Sequence, residues 1–585
     1  SSHFGIVFDM SILENMLPPY RTDANLRNYD DLYRSFQWDD INGEFSWQET
    51  GKVNISHEAI DRHAENPQTS HSVCLSYAYG MRTGKITYRQ MKDLSNKCGN
   101  MLRKIGVGKG DRVFLFLPKI PELYIALAGC AKIGAVIAPL YSEYREIAVK
   151  ERMLDGQGSV IITTPQYLPR VPINELPDLQ HVILVGALPD APVSEAIIWD
   201  EAMDHASTEL DLEWVDREFP LLLTYTSGPT GKPIGLIHPH DSMRGYLATA
   251  RWVLDLRDDD VVWTQAEPGW LMNVVYSAFA PWLCGVQTFI TGKIKDVTEL
   301  LNAVEKNGVT VLYTIPTLYR MIIDAGAECI RTYNLQSLRH LLSALEPLYP
   351  EMIYSVMRLL GIPIHDTWWT AETGMITIAN FPSVSIKPGY LGKPCPGITV
   401  AVVDEQGNEL PPFTMGQIAL KAGWPAMVRG IWGNEERYQS YFRQTPWFIT
   451  GDTAYVDFNG YFFYQGRADD VIITSGGRIG PSEIENVLTS HPAVAEAGVI
   501  RVPDATGVKK VKAFVCLRPN YKPTELLKSK IIAYVESRLQ PESAPKEITF
   551  CESLPKTKSG KILRRVLKAW EWGLPTGNIA SLRDE

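Results

Sequence analysis

Short, continuous apolar runs recur along this chain with helix-like stretches between them, and that alternation restricts the fold more than any other feature. DRVFLFLP, SVIITT, HVILVG, DVVWTQ, VQTFIT and VTVLYT each read as a buried strand. Between them, segments such as GKITYRQMKDLSNKCGNMLRKIGV carry apolar residues at helical spacing. Strands apolar on both faces and separated by helices imply layered α/β architecture with largely parallel sheets. LYIALAGCAKIGAVIAPL is the longest apolar stretch, but Lys132, Gly134 and Pro139 interrupt it. It reads as a buried helix followed by a strand, not as a membrane span. After about Gly389 the texture changes to shorter strands and turns (ITVAVVDEQGNEL, GQIALKA, GYFFYQGR), which predicts a β-rich subdomain.

A chain of 585 residues is long for a single core. Residues 1–70 are aromatic, polar and weakly periodic, and read as an N-terminal extension packed on a large domain over 71–468. A second boundary is visible at GRADDVIITSGGRIGPSEIENVL, after which 469–585 suffice for a small α+β domain. The net charge of −10 argues against bulk binding of nucleic acid or an anionic membrane. Eight scattered cysteines without a CxxC pair, and an acidic N-terminus without a basic leader region, read as a reduced, cytoplasmic protein.

LTYTSGPTGKPIGLIHPH reads as strand, phosphate-cradling loop, strand. Gly228 and Gly231 suit converging backbone N–H donors, whereas Pro229 removes a donor and Ile234 carries no charge. The spacing is not that of a Walker loop. His238 and His240 do not make a metal site without a third ligand.

Several further strings follow in order: VLYTIPTLYR, DTWWTAETG, WFITGDTA, GRADDVI and LPKTKSGKILRR. Together with YTSGPTGKP they resemble the AMP-forming acyl-CoA synthetases of the adenylate-forming superfamily, over nearly the whole chain. NISHEAIDRH, YTIPTLYR, DTWW and WPAMVRGIWGNEERY are most similar to the acetate-activating members. The resemblance implies two half-reactions. A carboxylate and Mg·ATP give acyl-AMP and pyrophosphate, and CoA, the co-substrate, then displaces AMP. It implies a mobile C-terminal domain that rotates about Asp469 between the steps. The small-molecule partners are ATP and AMP, pyrophosphate, a short carboxylic acid and CoA.

Residue by residue, the resemblance makes Lys561 the catalytic lysine that bridges carboxylate and α-phosphate, and the target of an inactivating lysine acetylation. Glu372 holds Mg²⁺. Thr226, Ser227, Gly228, Thr230, Gly231 and Lys232 face the phosphates; Leu345, Glu346, Pro347, Asp366, Thr367, Trp368, Trp369 and Thr370 surround the nucleotide. Asp452 and Arg467 reach the ribose and Arg478 the phosphate. Leu271, Met272, Ala344 and Trp369 enclose the acyl group, Ser475 and Gly476 lie on the CoA side, and His491 aligns with a cation site, although a helix-ending turn accounts for it equally.

Three departures fall at the phosphates. Pro229 stands where the family has Ser or Thr, Ile234 where it has lysine, and Ala371 where it has threonine. Each missing hydrogen bond to a charged group removes roughly 1.5–3 kcal/mol, so phosphate handling is expected to differ while Lys561, Asp452, Glu372 and Arg478 remain. The expected activity is acetate:CoA ligation, with operation towards ATP set by pyrophosphate supply. The alternatives are a ligase for propionate or another short or branched acid, a peptide-synthetase-type adenylation domain, and a catalytically silent nucleotide-binding homologue.

Overall fold

The computed structural model describes residues 16–46, 51–186, 195–227, 233–468, 472–474, 477–503, 509–539, 544–557 and 560–573. Among them, the apolar runs form two large sheets. In the first, the strands Ile364–Trp368, His340–Ser343, Val311–Thr314, Val261–Thr264, Gln287–Thr291 and Val73–Tyr79 lie side by side and parallel. Antiparallel strands extend both edges: Arg82–Thr87 on one side, Ile378–Ala379 and Lys393–Pro394 on the other. The second sheet has a parallel centre of Pro220–Ser227, Val136–Pro139, Arg112–Phe116, Val160–Thr163 and His181–Leu184. Pro233–Pro239 folds back antiparallel on Pro220–Ser227, and Gly430–Ile431 pairs antiparallel with it at the edge.

The helix Pro121–Lys132 is buried along its whole length. Lys132, which breaks that apolar stretch, is tolerated there because Asp61 Oδ1 lies 2.6 Å and Asn96 Oδ1 2.8 Å from its Nζ. A buried charge needs such partners. No helix among the described residues is long and apolar enough to cross a membrane. The N-terminal residues run across the large domain: Leu17 bridges Ile386, Tyr29 Oη donates to the Pro394 carbonyl at 2.5 Å, and Val53 bridges Val215.

The expected β-rich unit is a four-stranded antiparallel sheet of Val400–Val403, Gly416–Lys421, Trp447–Val456 and Phe462–Arg467. The C-terminal part is α+β, with a sheet of Val494–Pro503, Lys509–Leu517 and Glu547–Phe550. Alternation along Lys509–Leu517 divides its side chains. Val511, Ala513 and Val515 pack with Ile484 and Leu488 of the helix Pro481–Ser490 and with Ile531 and Val535 of the helix Glu525–Arg538. Phe514 and Cys516 point the other way, into a small cluster with Leu554 and with Leu567 of the helix Arg564–Trp572.

Candidate active site

The strand Ile364–Trp368 and the turn after it hold Asp366, Thr367, Trp368, Trp369, Thr370 and Glu372, all expected at the nucleotide. All five strand residues are buried, Asp366, Thr367 and Trp368 included, and burial holds the Asp366 carboxyl well above the usual carboxylate range. Trp368 Nε1 donates to Asp452 Oδ2 at 3.1 Å, and Asp452 is paired across the antiparallel ladder with Arg467. The tryptophan, the aspartate and the arginine's backbone are thus brought together from strands nearly a hundred residues apart.

Trp369 faces a different set. Its ring meets Tyr276 edge-on, with centroids 5.3 Å apart and planes at 86°, and its Nε1 donates to Tyr313 Oη at 3.1 Å. Tyr313 Oη lies 2.6 Å from Thr367 Oγ1, and that hydroxyl is 2.8 Å from the Ser343 carbonyl. A carbonyl only accepts, so the chain of donors has one direction: the Trp369 indole to Tyr313, Tyr313 to Thr367, Thr367 to Ser343. Tyr276 is held in turn, its oxygen accepting from Ile376 N at 2.9 Å. Leu271, Met272 and Ala344 are buried in the same apolar cluster as Trp369. Just ahead of them Gly269 passes so close to Tyr141 that a Cβ there would lie 2.2 Å from Tyr141 N.

The segment Ala344–Leu345–Glu346–Pro347 closes the adjacent side. Leu345 adopts φ +73°, a left-handed conformation costing a non-glycine residue roughly 1–2 kcal/mol. Leu345 thus holds a backbone shape that ordinarily favours glycine. The Glu346 carboxylate sits at the N-terminus of the helix Pro316–Ile330, accepting from Thr317 N at 2.9 Å and from Thr317 Oγ1 at 2.7 Å. Burial raises its pKa, while Thr317, Lys556 and Arg320 oppose the rise.

Against Glu346 lies the C-terminal part. A Cβ on Gly560 would lie 2.2 Å from Glu346 Cγ, and φ there is +83°, so a larger residue would strain the backbone and displace the Glu346 side chain. Lys561 is the next residue, exposed, on a hairpin where Lys556 bridges Ile562 and Thr557 N donates to the Lys561 carbonyl at 2.8 Å. A small cavity of about 30 Å³ remains between the two parts, lined by Thr317, Arg320, Glu346, Pro347, Lys556 and Gly560 among others. Arg320 spans the junction, donating to the Ala495 carbonyl at 2.7 Å.

On the phosphate side, Thr226 pairs with Ile234 and Ser227 with Pro233 across the hairpin. Ile234 packs half-buried on the main core. Gly228, Pro229, Thr230, Gly231, Lys232, Asp469, Ser475 and Gly476 lie outside the described residues, as do the side chains of Ser227, Arg467 and Arg478. His238 anchors the hairpin to the Thr370–Thr373 turn. Burial pushes its pKa down to about 4, and the neutral ring is 2.8 Å through Nε2 from the Ala371 carbonyl. Ala371 therefore faces the hairpin through its backbone. His240 is likewise buried and pushed down to about 3, with Nδ1 accepting from Ile55 N. Glu372 has Tyr441 Oη at 3.4 Å, and its backbone carbonyl accepts from Val428 N. Thr370 N donates to Thr373 Oγ1 at 2.9 Å, which shapes the turn.

His491 caps the end of the helix Pro481–Ser490. Its Nδ1 accepts from Ala493 N at 3.1 Å and its ring meets Tyr534 edge-on. Among the described residues no group of three or more His, Cys, Asp and Glu side chains could hold a metal ion. Sequence reasoning did not single out Tyr276, Tyr313, Thr317, Arg320 or Tyr441. Tyr313 and Thr317 do sit inside the VLYTIPTLYR string, and Pro316 before Thr317 marks a helix start whose N–H groups attract a carboxylate.

The model of the AMP-binding enzyme family matches residues 60–432, and that of the AMP-binding enzyme C-terminal domain matches 483–561. This chain belongs to the AMP-binding enzyme family. Within it, the chain is 48% identical to the acetyl-coenzyme A synthetase of Bacillus subtilis over 569 residues, covering 97% of this chain and 99% of the relative. It is 36% identical to the acetyl-coenzyme A synthetase of Methanothrix thermoacetophila, covering 92% and 86%. Among solved structures, it resembles an acyl-CoA synthetase of Brucella canis (TM-score 0.73, 31% identity, 93% and 99% covered). It also resembles the anthranilate CoA ligase AuaEII bound to anthranoyl-AMP (TM-score 0.80, 28% identity, 89% and 97% covered).

Proposed function

We propose that this chain is an AMP-forming acetate:CoA ligase. In the first half-reaction an acetate oxygen bonds to the α-phosphorus of ATP as the bond to pyrophosphate breaks, giving acetyl-AMP. In the second, the CoA sulfur bonds to the acetyl carbon and AMP leaves. The observation that carries the size of the acid is the immobilised Trp369, held through its Nε1 by Tyr313 and in a T-shaped contact by Tyr276, in the apolar cluster that also contains Leu271, Met272 and Ala344.

Lys561, on the hairpin that meets Glu346, is the cation for the charge that develops on the α-phosphate. Asp452 and Arg467, opposite each other in one ladder, take the ribose, and Arg478 the phosphate. Leu345, Glu346, Pro347, Asp366, Thr367, Trp368 and Thr370 enclose the nucleotide, and the residues from Thr226 to Lys232 its phosphates. Ser475 and Gly476 serve CoA, and Asp469 is the pivot for the C-terminal domain. Glu372 suits a Mg²⁺ ion brought in with ATP, since that ion takes one or two protein carboxylates and fills its remaining positions from phosphates and water. When bound, the ion neutralises charge on the phosphates. His491 is a lesser candidate for a cation, because Ala493 already occupies its Nδ1.

The test is acid-dependent exchange of labelled pyrophosphate into ATP. Exchange with acetate well above that with propionate or isobutyrate supports the reading. A preference for a larger acid moves it to another short-chain ligase, and no exchange with any acid ends it.

A further inference from the structure

Cys516 and Cys551 stand at the end of neighbouring parallel strands. The ladder runs Lys512 with Glu547 through Val515 with Phe550, so the next pair in register is Cys516 with Cys551. Cys551 N donates to the Val515 carbonyl at 3.0 Å, which continues the pairing to that point. Side chains in register share a face, and the two sulfurs lie 3.7 Å apart. Adjacent strands are about 4.8 Å apart, within the span of roughly 4.4–6.8 Å between Cα atoms that a disulfide bridges. Cys516 is buried and Cys551 half-buried, so a small oxidant reaches the second first.

We infer that Cys516 and Cys551 form an oxidant-sensitive dithiol, and that the disulfide between them slows acyl-adenylate formation by displacing the hairpin that carries Lys561. The oxidant is a hydroperoxide. The Cys551 sulfur attacks its O–O bond, giving a sulfenic acid and, from hydrogen peroxide, water once the proton is counted. Cys516 then displaces the sulfenic hydroxyl as a second water. In sum, two thiols and one hydrogen peroxide give one disulfide and two waters; both sulfurs are oxidised and the peroxide oxygens reduced.

Two observations support this order and its consequence. The hydrogen bond from Cys516 holds the Cys551 thiol below its ordinary range, which favours Cys551 as the nucleophile. The pair also lies in the small cluster that holds the Lys561 hairpin on its sheet, with Leu554 and Ile562. Closing the gap to a bond of about 2.05 Å draws in the chain that runs from Cys551 through Leu554 to Lys556.

The consequence for catalysis rests on the ligase reading above, so the experiment has two independent readouts. Full-length enzyme is treated with hydrogen peroxide, alkylated under denaturing conditions and peptide-mapped. The same samples are assayed for acetate-dependent pyrophosphate exchange and for thioester formation from supplied acetyl-AMP. The expected result is a Cys516–Cys551 disulfide, exchange lowered at least about fivefold with thioester formation changed less than about twofold, and recovery with dithiothreitol. C516A and C551A should each keep their exchange activity under the same treatment. Alkylation of both cysteines, or sulfinic acid at Cys551 beside an alkylatable Cys516, overturns the site. A disulfide that leaves exchange unchanged, or lowers both steps equally, overturns the link to the hairpin. Should the reduced enzyme show no acetate-dependent exchange, the ligase reading fails while the peptide map still decides the disulfide.

Discussion

The surroundings of Trp369 and of Lys561, the proposed floor of the acyl pocket and the proposed cation for the α-phosphate, are built in opposite ways. Trp369 is buried and fixed by a directional chain of hydrogen bonds through Tyr313 and Thr367 to a strand carbonyl, with Tyr276 against its ring. Lys561 is exposed on a hairpin that approaches the large domain through Gly560 and a small cavity. Size selection needs a wall that does not yield, since one methylene is worth only about 1–3 kcal/mol in an apolar pocket. In the proposed two-step reaction, a cation on the C-terminal part can serve one step and withdraw for the next. The two designs suit those two demands.

The comparison is broken most sharply at Lys561. Lys561→Ala should lower acetate-dependent pyrophosphate exchange by at least about 10²-fold, as loss of a donor to developing charge does, and leave CoA transfer to supplied acetyl-AMP nearly intact. Stopped-flow assays of the separate steps check this; equal losses in both would assign Lys561 to holding the domain together. Next is the floor itself. Trp369→Gly should shift preference from acetate to acids of four to six carbons by roughly 10- to 200-fold per discriminated methylene, and an unchanged chain-length profile would remove Trp369 from the pocket.

On the phosphate side, Ile234→Lys combined with Ala371→Thr restores two groups able to meet the nucleotide's phosphates. Each such bond is worth roughly 1.5–3 kcal/mol, so the KM values for ATP and pyrophosphate should fall at least about tenfold, with the acetate KM unmoved. Steady-state kinetics in both directions give the answer, and unchanged constants mean that the departures are neutral. The smallest effect belongs to Tyr313→Phe, which keeps the ring and removes the hydroxyl that receives the indole proton. Loss of one buried hydrogen bond costs about 1–3 kcal/mol, and here it should appear as a several-fold higher acetate KM and weaker discrimination against propionate, with the ATP KM constant. A parallel loss for ATP would show general damage instead.

Much of this was readable beforehand, and for physical reasons. The buried strands are continuous apolar runs, and the order of DTWWTAETG, WFITGDTA and KTKSGK along the chain marks one enzyme family. The stretch around Lys132 reads as a buried helix from its apolar run, but the partners Asp61 and Asn96 come from other segments and leave no mark in that run. The same holds for Tyr276 against Trp369. Local pattern reports which face of an element is apolar; it carries no information about which distant side chain meets it.

What the sequence by itself determined is the class of fold and the family, since apolar periodicity and motif order are properties of the linear chain. The tertiary structure alone decided that Leu345 adopts a left-handed backbone, that Glu346 is held by a helix N-terminus, and that Cys516 and Cys551 face each other. Each of these depends on strand register and on packing between elements far apart in sequence, where contact energies are set by distances that no single segment encodes.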